Sequence, residues 1–177
     1  MEDNSLGKRI LVTYASKTGA TVGVAEAIGK TLSASGIAVD VRPIKSVNDL
    51  GPYHAIVVGS AINGGEWLPE AMQFIRAHQP ELAQKRFAAF LVCMTLAMSN
   101  EKYREHVSTW LAPVRALVKP VSEGLFAGAL DIGKIPSLAD RLKFRLSVAL
   151  GVWSEGDHRD WNAIRAWAQD LVPLLTA

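Results

Sequence analysis

The residues best equipped for chemistry lie early in the chain, in Ser16-Lys17-Thr18-Gly19-Ala20-Thr21. The hydroxyls of Ser16, Thr18 and Thr21, a glycine and the start of a helical pattern offer neutral donors and a favourable dipole to an anion. G-x-G-x-x-G is absent, which disfavours a dinucleotide pyrophosphate. G-x-x-x-x-G-K-S/T is absent too, which argues against a nucleoside triphosphate. A hydroxyl-rich loop suits a terminal phosphate monoester, whose oxygens take several short hydrogen bonds. The same side chains could instead cap the helix, and residue types alone leave both readings open. Elsewhere reactive groups are sparse. His54, His78, His106 and His158 stand singly, with no metal-ligand spacing. Cys93, late in an apolar run, reads as core filler rather than a redox thiol.

The elements that must position this loop alternate. Ile10-Leu11-Val12-Thr13-Tyr14 is short and unbroken, as in a strand buried on both faces. Val22, Ala25, Ile28, Gly29 and Leu32 then recur at helical spacing until Gly36. Further strands are predicted over Ala38 to Ile44, Tyr53 to Ser60, Phe87 to Met94 and Val121 to Leu130. Helices are predicted over Leu68 to Ala77, with Pro69 in the first turn, Glu101 to Leu117, and Trp161 to Leu175. Such alternation indicates βαβ units and a parallel sheet covered on both sides. Ligands of such sheets bind outside the carboxyl ends of the strands, where the hydroxyl loop lies. Asp131 to Asp160 interrupts the rhythm but carries its own helical pattern in Leu138, Leu142, Leu146 and Leu150.

Composition bounds the function classes. The chain has 177 residues, is 49% hydrophobic and 20% charged, and holds 1 Cys. One domain over residues 1–177 is expected, with a flexible tail over 1–8 and an insertion over 131–160. A disulfide framework is excluded. A net charge of +2 is too mild to argue for nucleic acid. Met1 to Lys8 has no signal-peptide pattern, and no uncharged apolar run approaches the ~18 residues of a spanning helix. A cytoplasmic location is expected.

The loop Ser16-Lys17-Thr18-Gly19-Ala20-Thr21 matches the flavodoxin phosphate pattern S/T-x-T-G-x-T, directly after an apolar first strand. The chain thus resembles flavodoxin-like FMN proteins over nearly its whole length. Val57-Val58-Gly59-Ser60-Ala61-Ile62-Asn63-Gly64-Gly65 and Phe126-Ala127-Gly128-Ala129-Leu130-Asp131 resemble the flavodoxin-type, menaquinone-dependent protoporphyrinogen dehydrogenases of heme biosynthesis. Gly156-Asp157-His158-Arg159-Asp160-Trp161 is similar to that family's T-D-W stretch before its last helix. The resemblance implies an α/β three-layer sandwich, with a five-stranded parallel sheet of order 2-1-3-4-5. It also implies FMN as cofactor.

On that resemblance, the cofactor contacts fall in three loops. Ser16, Lys17, Thr18, Gly19, Ala20 and Thr21 would hold the phosphate. Ser60, Ala61, Ile62, Asn63, Gly64 and Gly65 would approach the flavin ring, the glycines permitting tight turns. Met94, Thr95, Leu96 and Ala97, in the loop running on to Met98 and Ser99, would form a further wall without the Tyr that many electron-carrier flavodoxins stack on the ring. Trp67 could stack on the ring or pack into the core. Only Glu66 is a conceivable general base in these loops, so no catalytic residue and no metal ligand is assigned.

The insertion joins Lys134, Arg141, Lys143 and Arg145 to Leu138, Leu142, Phe144, Leu146 and Val148, then Ala149-Leu150-Gly151-Val152-Trp153. Cations beside Leu, Phe and Trp suit an interfacial helix on an anionic membrane. They equally suit a lid over the flavin, or plain packing. The resemblance implies an oxidoreductase taking a hydride from protoporphyrinogen IX, or a related hydrophobic substrate, and passing electrons to a quinone. Peripheral membrane contact through residues 134–153 would accompany it. The alternative is a flavodoxin that carries single electrons between protein partners. Carriers of that kind are typically strongly acidic, and the +2 charge favours the enzyme. A flavin-free receiver domain needs carboxylates at the strand ends, and Tyr14-Ala15 and Gly59-Ser60 offer none.

Overall fold

A computed structural model describes residues 8–98 and 100–177. The tail expected over 1–8 lies outside the described residues except for Lys8, whose ammonium donates to the Thr176 carbonyl. Ser99 also lies outside them.

Five parallel strands make the central sheet: β1 (Arg9–Ala15), β2 (Ala38–Pro43), β3 (Ala55–Asn63), β5 (Arg86–Cys93) and β6 (Ser122–Ala127). The short β4 (Glu66–Trp67) pairs antiparallel with the end of β3. The order β2-β1-β3-β5-β6 is the expected order, with β4 as an added hairpin arm. Side chains alternate across the sheet. Leu11, Ile56, Val58 and Leu91 pack on one face against α2 (Pro69–Ala77), α4 (Glu101–Thr109) and α5 (Ala112–Leu117). Ile10, Val12, Val57 and Phe90 pack on the other against α1 (Ala20–Ala34) and α7 (Trp161–Thr176). The result is three layers. Gly59 is required at its position, because a Cβ there would lie 2.0 Å from the Phe90 ring.

Four predicted elements are corrected. The third strand continues past Ser60 to Asn63 and turns through Gly64 and Gly65, with φ of 61° and 82°. Two positive φ values in a two-residue connection define a type I′ hairpin. The helix predicted over Glu101 to Leu117 breaks into α4 and α5, because Pro113, lacking an N–H, can enter only the first turn of a new helix. The strand predicted over Val121 to Leu130 stops at Ala127. After Gly128, β7 (Ala129–Leu130) leaves the sheet and pairs with β8 (Gly156–Asp157). In α1 the buried face is Thr21, Val24, Ala25, Ile28, Gly29 and Leu32, and Val22 is only half-buried.

Residues 131–160 fold as a 3-10 turn (Ile132–Lys134), α6 (Leu138–Ala149) and β8, with α3 (Gln79–Leu82) completing the helices elsewhere. No residue of α6 is fully buried. Its leucines point outward: Leu138 is 77% exposed, Leu142 71%, Leu146 61%, and Leu150 beyond its end 71%. The opposite face carries Phe144 and Val148, which pack on Leu130, Ile132 and Ile135. No described helix is long and apolar enough to cross a membrane.

Candidate functional site

The carboxyl ends of β1, β3, β5 and β6 open into a cavity of about 300 Å³. Its floor is the strand-to-helix turn after β1. Gly19, at φ 96°, ends the turn in a left-handed conformation that a side chain would strain. Ser16 Oγ accepts from the Gly19 N–H at 3.1 Å, which closes the loop on itself. No side chain caps α1, and no acid stands in its first turn. The capping alternative therefore has no support in the geometry. Ser16, Lys17, Thr18, Ala20 and Thr21 all line the cavity. Thr21 Oγ1 is buried and has no hydrogen-bond partner in the protein. A buried hydroxyl without a partner is costly, and an anion at this helix end would supply one.

The second wall is the β3–β4 hairpin, which contributes Ala61, Ile62 and Asn63. Ser60 is corrected: it is fully buried beneath the hairpin. Its Oγ donates to the Ala61 carbonyl at 2.7 Å and accepts from the Leu68 N–H at 3.0 Å, so it fixes the hairpin, and it does not line the cavity. Gly64 and Gly65 form the hairpin tip outside the cavity wall, with Trp110 beside Gly65. Trp67 is 4% exposed and belongs to the core, which settles its role as packing. Glu66 is exposed and does not line the cavity.

The third wall follows β5. Met94 lines the cavity, whereas Thr95, Leu96 and Ala97 stand half-buried in a 3-10 turn behind it. Cys93 also reaches the wall, and burial pushes its thiol up to about 11. It is a neutral thiol at ordinary pH, in keeping with core filler. The fourth wall was absent from the predicted contacts. It consists of Gly128, Ala129 and Leu130 after β6, then Ile135, Pro136, Asp140 and Phe144 of the insertion. The Phe126–Asp131 stretch and the apolar residues of the insertion were its only signals. Asp140 is the carboxylate on this wall.

These walls suit FMN. Hydroxyls and open helix N–H groups at one end match a phosphate, and Ala61, Ile62, Val92 and Met94 offer apolar surface to a flat ring. No cluster of His, Cys, Asp or Glu among the described residues could hold a metal ion.

Comparison with known proteins agrees. The flavodoxin domain model matches residues 11–158. A protoporphyrinogen IX dehydrogenase (quinone) of Leishmania major is 26% identical, over 96% of this chain and 77% of that protein. A flavodoxin of Streptococcus pneumonia TIGR4 superposes with a TM-score of 0.58 at 17% identity, covering 93% of this chain and 98% of that one. Flavodoxin 2 of Bacillus cereus gives 0.51 at 25% identity, covering 81% and 99%. With a family match across most of the sequence and a cavity at the expected strand ends, the chain belongs to the flavodoxin domain family and binds FMN.

Proposed function

We propose that this protein is an FMN-dependent dehydrogenase that oxidises protoporphyrinogen IX, or a related flat hydrophobic substrate, and passes the electrons to a quinone. The observation that carries the proposal is the fourth wall. The insertion over 131–160 folds back across the strand ends and, next to Leu130 of β7, presents Ile135, Pro136 and Phe144 to the cavity. A shuttle that exchanges electrons with protein partners gains nothing from an apolar wall over its cofactor. The net charge of +2 also departs from the acidic balance of such carriers. The Leishmania relative, named for protoporphyrinogen and quinone, supports the same substrate class.

In this reading one flavodoxin-like unit does all the work. Ser16, Lys17, Thr18, Gly19, Ala20 and Thr21 bind the phosphate through backbone N–H groups and hydroxyls. Ala61, Ile62 and Asn63 hold one side of the ring, with Gly64 and Gly65 setting the hairpin. Met94 flanks the ring, with Thr95, Leu96 and Ala97 supporting it from behind. FMN, when bound, supplies acceptance of a hydride at its ring. Ile135, Pro136 and Phe144 exclude water and orient an apolar substrate against that ring. The outward leucines of α6, with Lys143 and Arg145 on the same exposed helix, rest on an anionic membrane surface. A quinone dissolved in that membrane is then within reach.

The test is anaerobic turnover of the FMN-loaded chain with protoporphyrinogen IX and a menaquinone analogue. Porphyrin fluorescence should rise above the uncatalysed rate, in step with quinone reduction. Fluorescence no faster than the uncatalysed rate would favour the electron carrier.

A further inference from the structure

Arg159 stands where the insertion ends, beside the first turn of α1. Its Nε and Nη2 donate to Oδ1 and Oδ2 of Asp157 at 2.7 and 2.8 Å, a paired fork. Its Nη1 donates to the Ala20 carbonyl at 3.2 Å. The guanidinium lies 4.4 Å from the Trp161 ring centroid, and 17% of the side chain is exposed. Gly23 leaves room for it, since a Cβ there would stand 2.7 Å from Nη1. The adjacent His158 N–H donates to the Gly128 carbonyl at 3.1 Å. One short segment is thus tied to the first turn of α1 and to the end of β6.

The placement of this cation is unfavourable by itself. Arg159 lies against the N-terminal turns of α1 and α7, and the dipoles of both disfavour positive charge there. Asp157 offsets part of this, and the hydrogen bond from Arg159 holds its carboxyl below the usual carboxylate range. Asp157 is itself 43% exposed, so solvent screens its share. A phosphate held at the Ser16–Thr21 loop, whose Ala20 Arg159 already contacts, would be a second offset.

We propose that Arg159 is a positioning residue for the phosphate of FMN: through Ala20 it holds the first turn of α1, and it adds positive charge beside the phosphate loop. Arg159 therefore sets affinity for the phosphate and not for the ring. The proposal rests on the placement of the phosphate at Ser16–Thr21.

The experiment compares FMN with riboflavin, which lacks the phosphate, by fluorescence titration of the full apo chain. Arg159→Ala should weaken FMN about tenfold and leave riboflavin within about twofold. Arg159→Lys, which keeps the charge but not the fork, should fall between, and it carries the same comparison if Arg159→Ala does not fold. Gly23→Ala should weaken FMN in the natural chain and have no further effect in an Arg159→Ala background. Equal losses for both flavins, or unchanged FMN affinity, would overturn the proposal. A natural chain that binds riboflavin as tightly as FMN would overturn the phosphate placement itself.

Discussion

The phosphate loop and the insertion face one cavity but are built on opposite terms. Ser16 to Thr21 connects a strand buried at Ile10 to Thr13 and Ala15 to a helix with a fully buried face, so its backbone is held at both ends by the core. The insertion contributes Ile132 and Ile135, which form a small satellite cluster with Leu130, and a helix with no buried residue. Among the described residues, its polar ties to the rest of the fold run through its last residues: the pairing of β8 with β7, the His158 N–H to the Gly128 carbonyl, and the Arg159 side chain to the Ala20 carbonyl. The contrast teaches a division of labour. In the proposed function, the half that would meet the cofactor is backbone-built and held by the core, as a constant ligand allows. The half that would meet the substrate is side-chain-built on an element with no buried helix residue, the kind that opens at low cost.

That division can be broken or sharpened by substitution. The largest effect is expected from Gly19→Val, which forces a β-branched residue into the left-handed region; the strain of about 2 kcal/mol should cost roughly thirtyfold or more in FMN affinity. Flavin titration measures it. Phe144→Ala should act on the other half, lowering kcat/KM for a porphyrinogen by about tenfold while FMN affinity stays within about twofold. Parallel losses in both quantities would erase the distinction. Thr21→Val should weaken FMN by about 1 kcal/mol and leave the apo chain no less stable, since the lost hydroxyl has no partner in the protein. Chemical denaturation with and without FMN separates the two effects.

Leu142→Glu should change stability by less than about 0.5 kcal/mol, because the side chain is exposed. The same substitution should reduce cosedimentation with vesicles of anionic lipid, and unchanged cosedimentation would remove the membrane from the account. The smallest effect concerns Cys93. Its folded pKa is raised to about 11 from 9.0, so the folded state holds this proton more tightly than the unfolded chain. The stabilising contribution is whole below about pH 9 and is lost as pH rises toward 11. Denaturation of Cys93→Ala against the natural chain should show a shallower decline across that window.

What was legible in the sequence was local. The run Ile10 to Tyr14 and the recurrences in α1 carry their own periodicity, and the hydroxyl loop between them is contiguous, so strand, loop and helix are readable together. What was not legible depends on partners distant in the chain. Nothing near Ser60 in the sequence reveals that the Leu68 N–H, eight residues on, claims its hydroxyl. Ala129 and Leu130 continue an apolar strand in sequence, yet they pair with residues 156–157 across the insertion. The leucine stripe of α6 announced a helix but not which of its faces would be covered. The inward face belongs to Phe144 and Val148, and the stripe looks out.

The most direct measurement is rapid anaerobic mixing of the FMN-loaded chain with protoporphyrinogen IX, followed by flavin absorbance. Bleaching of the oxidised flavin band, with oxidised porphyrinoid product appearing at the same rate, is the predicted result. A flavin that stays oxidised with this substrate yet bleaches with dithionite would contradict the account.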